Sequence, residues 1–310
     1  MAKYVNTPYD DVFRTLITDG GSLIIPLINE TFHEDYTGDE EIILRQNEHY
    51  LTKQDGDQDE RVSDSNLLII GKDEIKNYHY ECQSGADNSL MIRFFEYDSQ
   101  IALTNTEFDG NTMTVTFPNS AVLFLRTTEN TPDELKIVVK FPGTGSDGSY
   151  TIPVLKVNNY SIDEIFDKNL LFLIPFYIFS HESRFKKYEE NTEQLEKLEE
   201  EYSIIRNRLE GLVDAGKLDE YRKCMLVDMT NKVLEHIAVG FEKVKEGVKT
   251  IMGGKVLDYE AKTIYNSGKD EGKIEMLVAL VKDKLITLAE GARRAGVTED
   301  DFAKKMASVK

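Results

Sequence analysis

Asp64, Glu81 and Gln83 are the side chains whose types and spacing point to chemistry. In HYECQS, residues 79 to 84, successive strand residues point to opposite faces. Glu81 and Gln83 therefore project together, while Tyr80 and Cys82 project the other way into packing. Asp64 lies in the preceding segment, ERVSDSNLLII, and a hairpin between the two segments brings its carboxylate next to Glu81. Two carboxylates held close together repel. A hard divalent cation such as Mg2+ (or Mn2+ or Ca2+) relieves this by taking oxygen ligands from both, with waters and a substrate phosphate filling roughly six positions. Such an ion activates water and stabilises charge developing on phosphate oxygens, which is the machinery of phosphodiester hydrolysis. Acidic residues on strand faces are more ordinarily solvated, and spacing alone does not separate the two readings.

These residues need a sheet and helices to hold them. Residues 8 to 32 have helical apolar spacing at Val12, Leu16 and Ile17, interrupted at Gly20-Gly21, which predicts two short helices. The period then changes. Strands are expected near 42 to 46, 61 to 70 and 76 to 83, forming a meander. Helical spacing returns over 88 to 104 through Met91, Phe94, Phe95, Asp98 and Ile101, with Asn88 or Ser89 as N-cap. Segments 112 to 117, 121 to 126, 135 to 141 and 150 to 157 are rich in β-branched residues and should extend the sheet, with one hairpin among them. After the apolar run 170 to 179 the chain reads helical to its end, with an antiparallel helical hairpin near 183 to 250.

The longer pattern resembles the PD-(D/E)xK nuclease superfamily, in particular its Rpn branch of recombination-promoting nucleases and nuclease-family transposases. Four pieces carry the resemblance in order: Tyr9 to Arg14 (YDDVFR), Arg61 to Asp64 (RVSD), Glu81 to Ser84 (ECQS) and Arg93 to Tyr97 (RFFEY). The resemblance implies a restriction-endonuclease-like α/β core, a mixed β-sheet flanked by helices with an α-helical C-terminal region. It implies a Mg2+-dependent deoxyribonuclease, with Asp64 and Glu81 as metal ligands and the backbone carbonyl of Cys82 as a third oxygen. Gln83 stands where the wider superfamily carries lysine. Lysine places a positive charge beside the attacking water and phosphate, whereas glutamine can only orient water through its amide. Slower chemistry follows, or a cation from elsewhere. Arg93 is the candidate for that cation, its ordinary alternative being a salt bridge to Glu96 or a phosphate-positioning contact. Asp10 either completes the acidic cluster from the first helix or serves with Asp11 as a helix N-cap.

Organisation and composition bound the rest. A nuclease-like domain is expected over 1 to 182, a helical hairpin region over 183 to 265, and a helical tail over 266 to 310. In that tail, Leu285 to Phe302 has weak helix-turn-helix character and an Arg293-Arg294 pair. The 37 basic and 56 acidic residues give a net charge of −19, which opposes broad nonspecific wrapping of nucleic acid. DNA binding is then compatible only with segregated acidity, and the run from Glu189 to Glu201 on a solvated helix supplies part of that segregation. Two cysteines far apart, Cys82 and Cys224, offer no disulfide framework and fit a cytoplasmic protein. The opening MAKYVNTPYDD lacks a signal-peptide pattern, and the 170 to 179 run falls short of the roughly 20 residues of a spanning helix. The five histidines show no metal-ligand spacing. His79 shares the parity of Glu81, although a surface or packing role is the ordinary expectation. A homodimer suits duplex cutting, which needs two sites or two nicks. The competing expectation is a catalytically silent protein that keeps the nuclease fold for nucleic-acid binding or assembly.

Overall fold

The computed structural model describes residues 7–45, 48–52, 58–62, 65–71, 74–85, 87–143, 145 and 147–253, and beyond these only 278, 281–282, 288, 292, 302–304 and 306. Two compact units are present. One comprises Met1–Leu218 with Met225–Gly254, the other Asp219–Cys224 with Lys255–Lys310. The described residues of the second unit beyond 253 are helical, and Val278, Ala292 and Phe302 are buried. Asp64, the Arg293-Arg294 pair and most of the segment from Leu285 to Phe302 lie outside the described residues.

In the first unit, α1 (Pro8–Gly20) starts at Thr7, whose side chain caps the helix, and proline occupies the first turn, where a missing N–H costs nothing. The helix buries Tyr9, Val12, Phe13, Leu16 and Ile17 and stops at Gly21, which takes a positive φ of 56°. A 3-10 turn, Gly21–Ile24, leads into α2 (Ile25–Phe32). The two expected helices are therefore present, joined by a tight turn.

Ten strands follow among the described residues, six of them in one mixed sheet. Its members are β1 (Glu41–Leu44), β4 (Leu67–Ile70), β5 (Ile75–Gln83), β8 (Asn119–Phe124), β9 (Glu134–Lys140) and β10 (Asp147–Lys156), in spatial order β1-β4-β5-β8-β10-β9. β1, β4 and β5 form an antiparallel meander. β5 runs parallel to β8, and β8 parallel to β10, while β9 and β10 close an antiparallel hairpin. A parallel pair needs a crossover, and α3 (Leu90–Thr104) lies between β5 and β8 in the chain. The mixed α/β architecture matches the expectation.

Two details differ. The segment 61 to 70 is not one strand: β3 (Gln58–Val62) pairs with β2 (Glu48–Thr52) in a separate hairpin, and β4 begins only at Leu67. The segment 112 to 117 does not extend the main sheet. Only Thr112–Thr114 is strand, β7, pairing with β6 (Glu107–Asp109) in a two-stranded ribbon whose residues are all exposed. Alternating β-branched residues satisfy a hairpin as well as a sheet, so period alone does not tell them apart.

The sheet has two differently used faces. Tyr78 and Tyr80 point toward α2, where Phe32 packs against both rings and the Tyr80 hydroxyl donates to the Leu27 carbonyl. The other face receives α3, with Leu90, Phe94, Val122, Ile137 and Ile152 forming one apolar cluster. After β10 come a short helix, α4 (Ile162–Asp167), and a 3-10 stretch, Leu171–Arg184, buried from Leu171 to Phe179 with Pro175 inside it. Phe172 and Phe176 pack against Phe13, and Phe179 against Tyr9. The apolar run is thus the wall against which α1 is buried. The remaining helices are α5 (Phe185–Glu190), α6 (Thr192–Asp214), α7 (Glu220–Ile237) and α8 (Glu242–Met252), with α6 packed on α8. Among the described residues, no helix is long and apolar enough to cross a membrane.

Candidate active site: a buried charge network on β5

Strand parity places His79, Glu81 and Gln83 on the face of β5 that α3 covers, and all three are buried. α3 brings Arg93 and Asp98 to the same face, because positions 90, 93, 94, 97, 98 and 101 form its buried stripe. One terminal nitrogen of Arg93, Nη2, donates to Glu81 Oε2 at 3.1 Å and to Gln83 Oε1 at 3.3 Å. The other, Nη1, donates to Asp87. The planar fork of a guanidinium suits this bridging, which a single ammonium would not reproduce. Gln83 completes its own amide by donating from Nε2 to the Gly85 carbonyl at 2.6 Å.

The second Glu81 oxygen faces a histidine. His79 Nε2 lies 3.3 Å from Glu81 Oε1, and His79 Nδ1 lies 2.7 Å from Asp98 Oδ1. Both ring nitrogens therefore face carboxyl oxygens, and only the imidazolium donates from both. Burial opposes that charge, but the hydrogen bonds and negative charges of Asp98 and Glu81 outweigh it and raise the His79 pKa to about 9. Burial likewise opposes ionisation of Glu81, and the hydrogen bonds and positive charges of His79 and Arg93 overcome it, holding that carboxyl below its ordinary range. Asp98 is fixed further by the Ser120 hydroxyl at 2.6 Å and the Tyr150 hydroxyl at 3.0 Å.

Glu81, Gln83 and Arg93 therefore meet, and Arg93 pairs with Glu81 and Asp87. Asp10 sits in the first turn of α1, where its carboxylate accepts from the Thr7 N–H at 2.6 Å and closes a capping box. The N-cap itself is Thr7 rather than Asp10 or Asp11. Ser89 occupies the N-cap position of α3, but its hydroxyl donates to Asp87 instead of capping the helix. His79 is neither a surface histidine nor an apolar filler, and it and Asp98 were not among the expected site residues. The signal for Asp98 was present: an acidic residue in the apolar stripe of a helix must find a buried partner.

Asp64 lies outside the described residues, but its neighbour in the chain is well placed. Ser65 is buried, and its hydroxyl accepts from the Tyr80 N–H at 2.9 Å and donates to the Tyr80 carbonyl at 3.1 Å, one residue before Glu81. The Gln83 carbonyl accepts from Leu125 on the opposite side of β5. Alternation of backbone groups along the strand then turns the Cys82 carbonyl toward the side where Ser65 sits. A carboxylate and an adjacent backbone carbonyl are oxygen donors of the kind a hard divalent cation takes, but both oxygens of Glu81 already face cationic side chains, His79 and Arg93. Among the described residues, no group of three or more His, Cys, Asp or Glu side chains is arranged to hold a metal. A complete site there would need Asp64, and Arg93 would have to yield Glu81 Oε2. Compared with known proteins, the chain matches no family model, no curated protein and no solved structure.

Proposed function

We propose that the chain is a cytoplasmic, metal-dependent endonuclease with a restriction-endonuclease-like core, of the recombination- or transposase-associated Rpn type, that hydrolyses phosphodiester bonds in DNA. The observation that carries this reading is the meeting of Glu81, Gln83 and Arg93 on one face of β5, with Ser65, the neighbour of Asp64, bonded to the backbone one residue away. When bound by Asp64, Glu81 and the Cys82 carbonyl, a Mg2+ or Mn2+ ion supplies Lewis acidity toward a phosphate oxygen and a more acidic water. Arg93 supplies the fixed positive charge that Gln83 cannot, and its fork matches a phosphate as well as it matches Glu81. Gln83 orients that guanidinium through Oε1. A homodimer would place two such sites on a duplex.

Plasmid nicking across a series of divalent ions tests the reading. Asp64→Ala and Glu81→Gln should each lower the nicking rate by at least about 100-fold, the scale of losing an electrostatic stabiliser, with the fold retained. Wild-type rates in both variants would refute it. A second reading, a silent nuclease-fold protein for nucleic-acid binding or assembly, is favoured by one specific observation: Glu81 is 2% exposed and has both oxygens engaged by cationic side chains. Calorimetric titration with Mn2+ separates the two, because the silent protein would show no binding that depends on Asp64 and Glu81.

A further inference from the structure

We infer that the edge strand β9 pairs with the β9 of a second copy of this chain, antiparallel about a two-fold axis at Ile137, so that two sheets join into one. Among the described residues, β9 is hydrogen-bonded on one side only, to β10. It is a regular edge of seven residues, ELKIVVK, with no proline, no glycine and no bulge in its register. Natural sheets usually blunt such an edge by shortening it, as the four-residue β1 does at the other side, or by adding proline or a bulge. The Asp133 carbonyl accepts from the Val154 N–H of β10 at 3.0 Å. Alternation along the strand then turns the backbone N–H and C=O groups of Glu134, Lys136, Val138 and Lys140 to the open side.

The residues of the edge select the register. Outward-facing residues must meet outward-facing residues, which near the middle of the strand allows two-fold axes at Lys136, Ile137 or Val138. An axis at Lys136 sets that lysine against itself, and one at Val138 sets Lys136 against Lys140 of the second copy. Like charges directly opposite are destabilising. The axis at Ile137 instead sets Glu134 against Lys140 of the second copy at both ends, and Lys136 against Val138, which is 49% exposed. Lysines on an edge commonly guard against pairing, but this one register leaves neither lysine opposite a like charge. On the face toward α3, Leu135 meets Val139 of the second copy, which extends the apolar cluster of Leu90, Phe94 and Ile137. α3 adds more apolar surface there. Its Arg93 flank lies over β5, and Met91 and Phe95, one turn apart on the opposite flank toward β9, are both exposed.

Charge reversal at the two ends of the strand supplies the test. Sedimentation velocity of the full-length protein across micromolar concentrations should show a reversible dimer. Glu134→Lys and Lys140→Glu each place like charges opposite at both ends, and each should raise the dimer dissociation constant by about 10-fold or more, since two favourable cross-strand pairs become unfavourable. Mixing these two variants in equal amounts puts unlike charges opposite again at both ends, and should restore a mixed dimer to within about 3-fold of wild-type affinity. Both positions are exposed, so the variants should keep the fold, which circular dichroism checks. Val138→Pro removes only an outward-facing N–H, which an edge strand tolerates, and should weaken the dimer by a similar factor. If Val138→Pro does not fold, the charge variants decide. A monomer at every concentration overturns the inference and leaves an extended segment of another protein as the occupant of the edge. A dimer indifferent to the charge reversals, or single variants that do not associate when mixed, places the contact elsewhere and overturns it as well. Neither result bears on the nuclease reading, because no step of the pairing uses metal or nucleic acid.

Discussion

Among the described residues, two buried histidines sit beside glutamates, and their surroundings differ in one respect that sets their chemistry apart. His79 lies between β5 and α3, with a carboxyl oxygen at each ring nitrogen. His181, in the 3-10 stretch, has Glu201 Oε2 3.1 Å from Nε2, but its Nδ1 faces the Arg184 guanidinium and the Tyr188 hydroxyl, each at 2.9 Å. A guanidinium can only donate, so Nδ1 of His181 accepts, while both nitrogens of His79 donate. The glutamates differ as well. The Glu81 side chain is 2% exposed, whereas Glu201 is 33% exposed and also takes the Tyr177 hydroxyl at 2.7 Å. Similar residues therefore give a closed system of charges in the sheet and a water-edged cluster in the helices. Only the first has the isolation from water that makes electrostatic interactions strong.

Removing the glutamates should give the largest contrast. Glu81→Ala removes the carboxylate that lies between Arg93 and His79, leaving Arg93 with Asp87 and His79 with Asp98 alone, and loss of one partner of a buried pair costs about 3–5 kcal/mol. Glu201→Ala acts at the edge of the solvent and should cost about 1 kcal/mol or less. Urea denaturation of both variants measures the difference, and equal losses would show that the sheet network is no more closed than the helical one. Next in size are the arginines. Arg93→Lys cannot bridge Glu81, Gln83 and Asp87 at once and should cost about 2 kcal/mol, the scale of a charged hydrogen bond. Arg184→Lys, at an exposed position, should stay within about 0.5 kcal/mol. If chemical denaturation ranks these two the other way, the bridging role of Arg93 is wrong.

The sequence showed the scaffold of this contrast better than its wiring. The helices of residues 8 to 32, the change to strand period and the helix of residues 88 to 104 were legible because apolar spacing reports which face is buried. Parity on β5 correctly set Glu81 and Gln83 on the opposite face from Tyr80 and Cys82. The partners were not legible. That Asp98 meets His79 depends on α3 covering β5, and that Ser120 and Tyr150 meet Asp98 depends on β8 lying parallel beside β5 and β10 parallel beside β8, a placement that no local pattern encodes. The separate ribbon at Thr112–Thr114 escaped for the same reason. Glu201 belongs to an acidic run that reads as uniformly solvated, yet it turns inward toward Tyr177 and His181 because it neighbours the buried Tyr202 on α6.

The smallest test uses the two tyrosine hydroxyls that finish the networks. Tyr150 donates to Asp98 Oδ2 at 3.0 Å from β10, so Tyr150→Phe removes one of three donors holding a fully buried carboxyl. A hydrogen bond to a charged group contributes about 1.5–3 kcal/mol, and the remaining donors, Ser120 and His79, should bring the loss to the lower end of that range. Tyr188→Phe removes a hydroxyl from His181 Nδ1, but Arg184 still donates to the same nitrogen. The nitrogen keeps a partner, so the loss should be about 0.5 kcal/mol. Thermal melts of the two variants under one condition give the order directly. If Tyr188→Phe proves the more damaging, Asp98 is not as tightly held as three donors imply, and the order of the His79 ring comes from packing by Phe94 and Tyr97 instead.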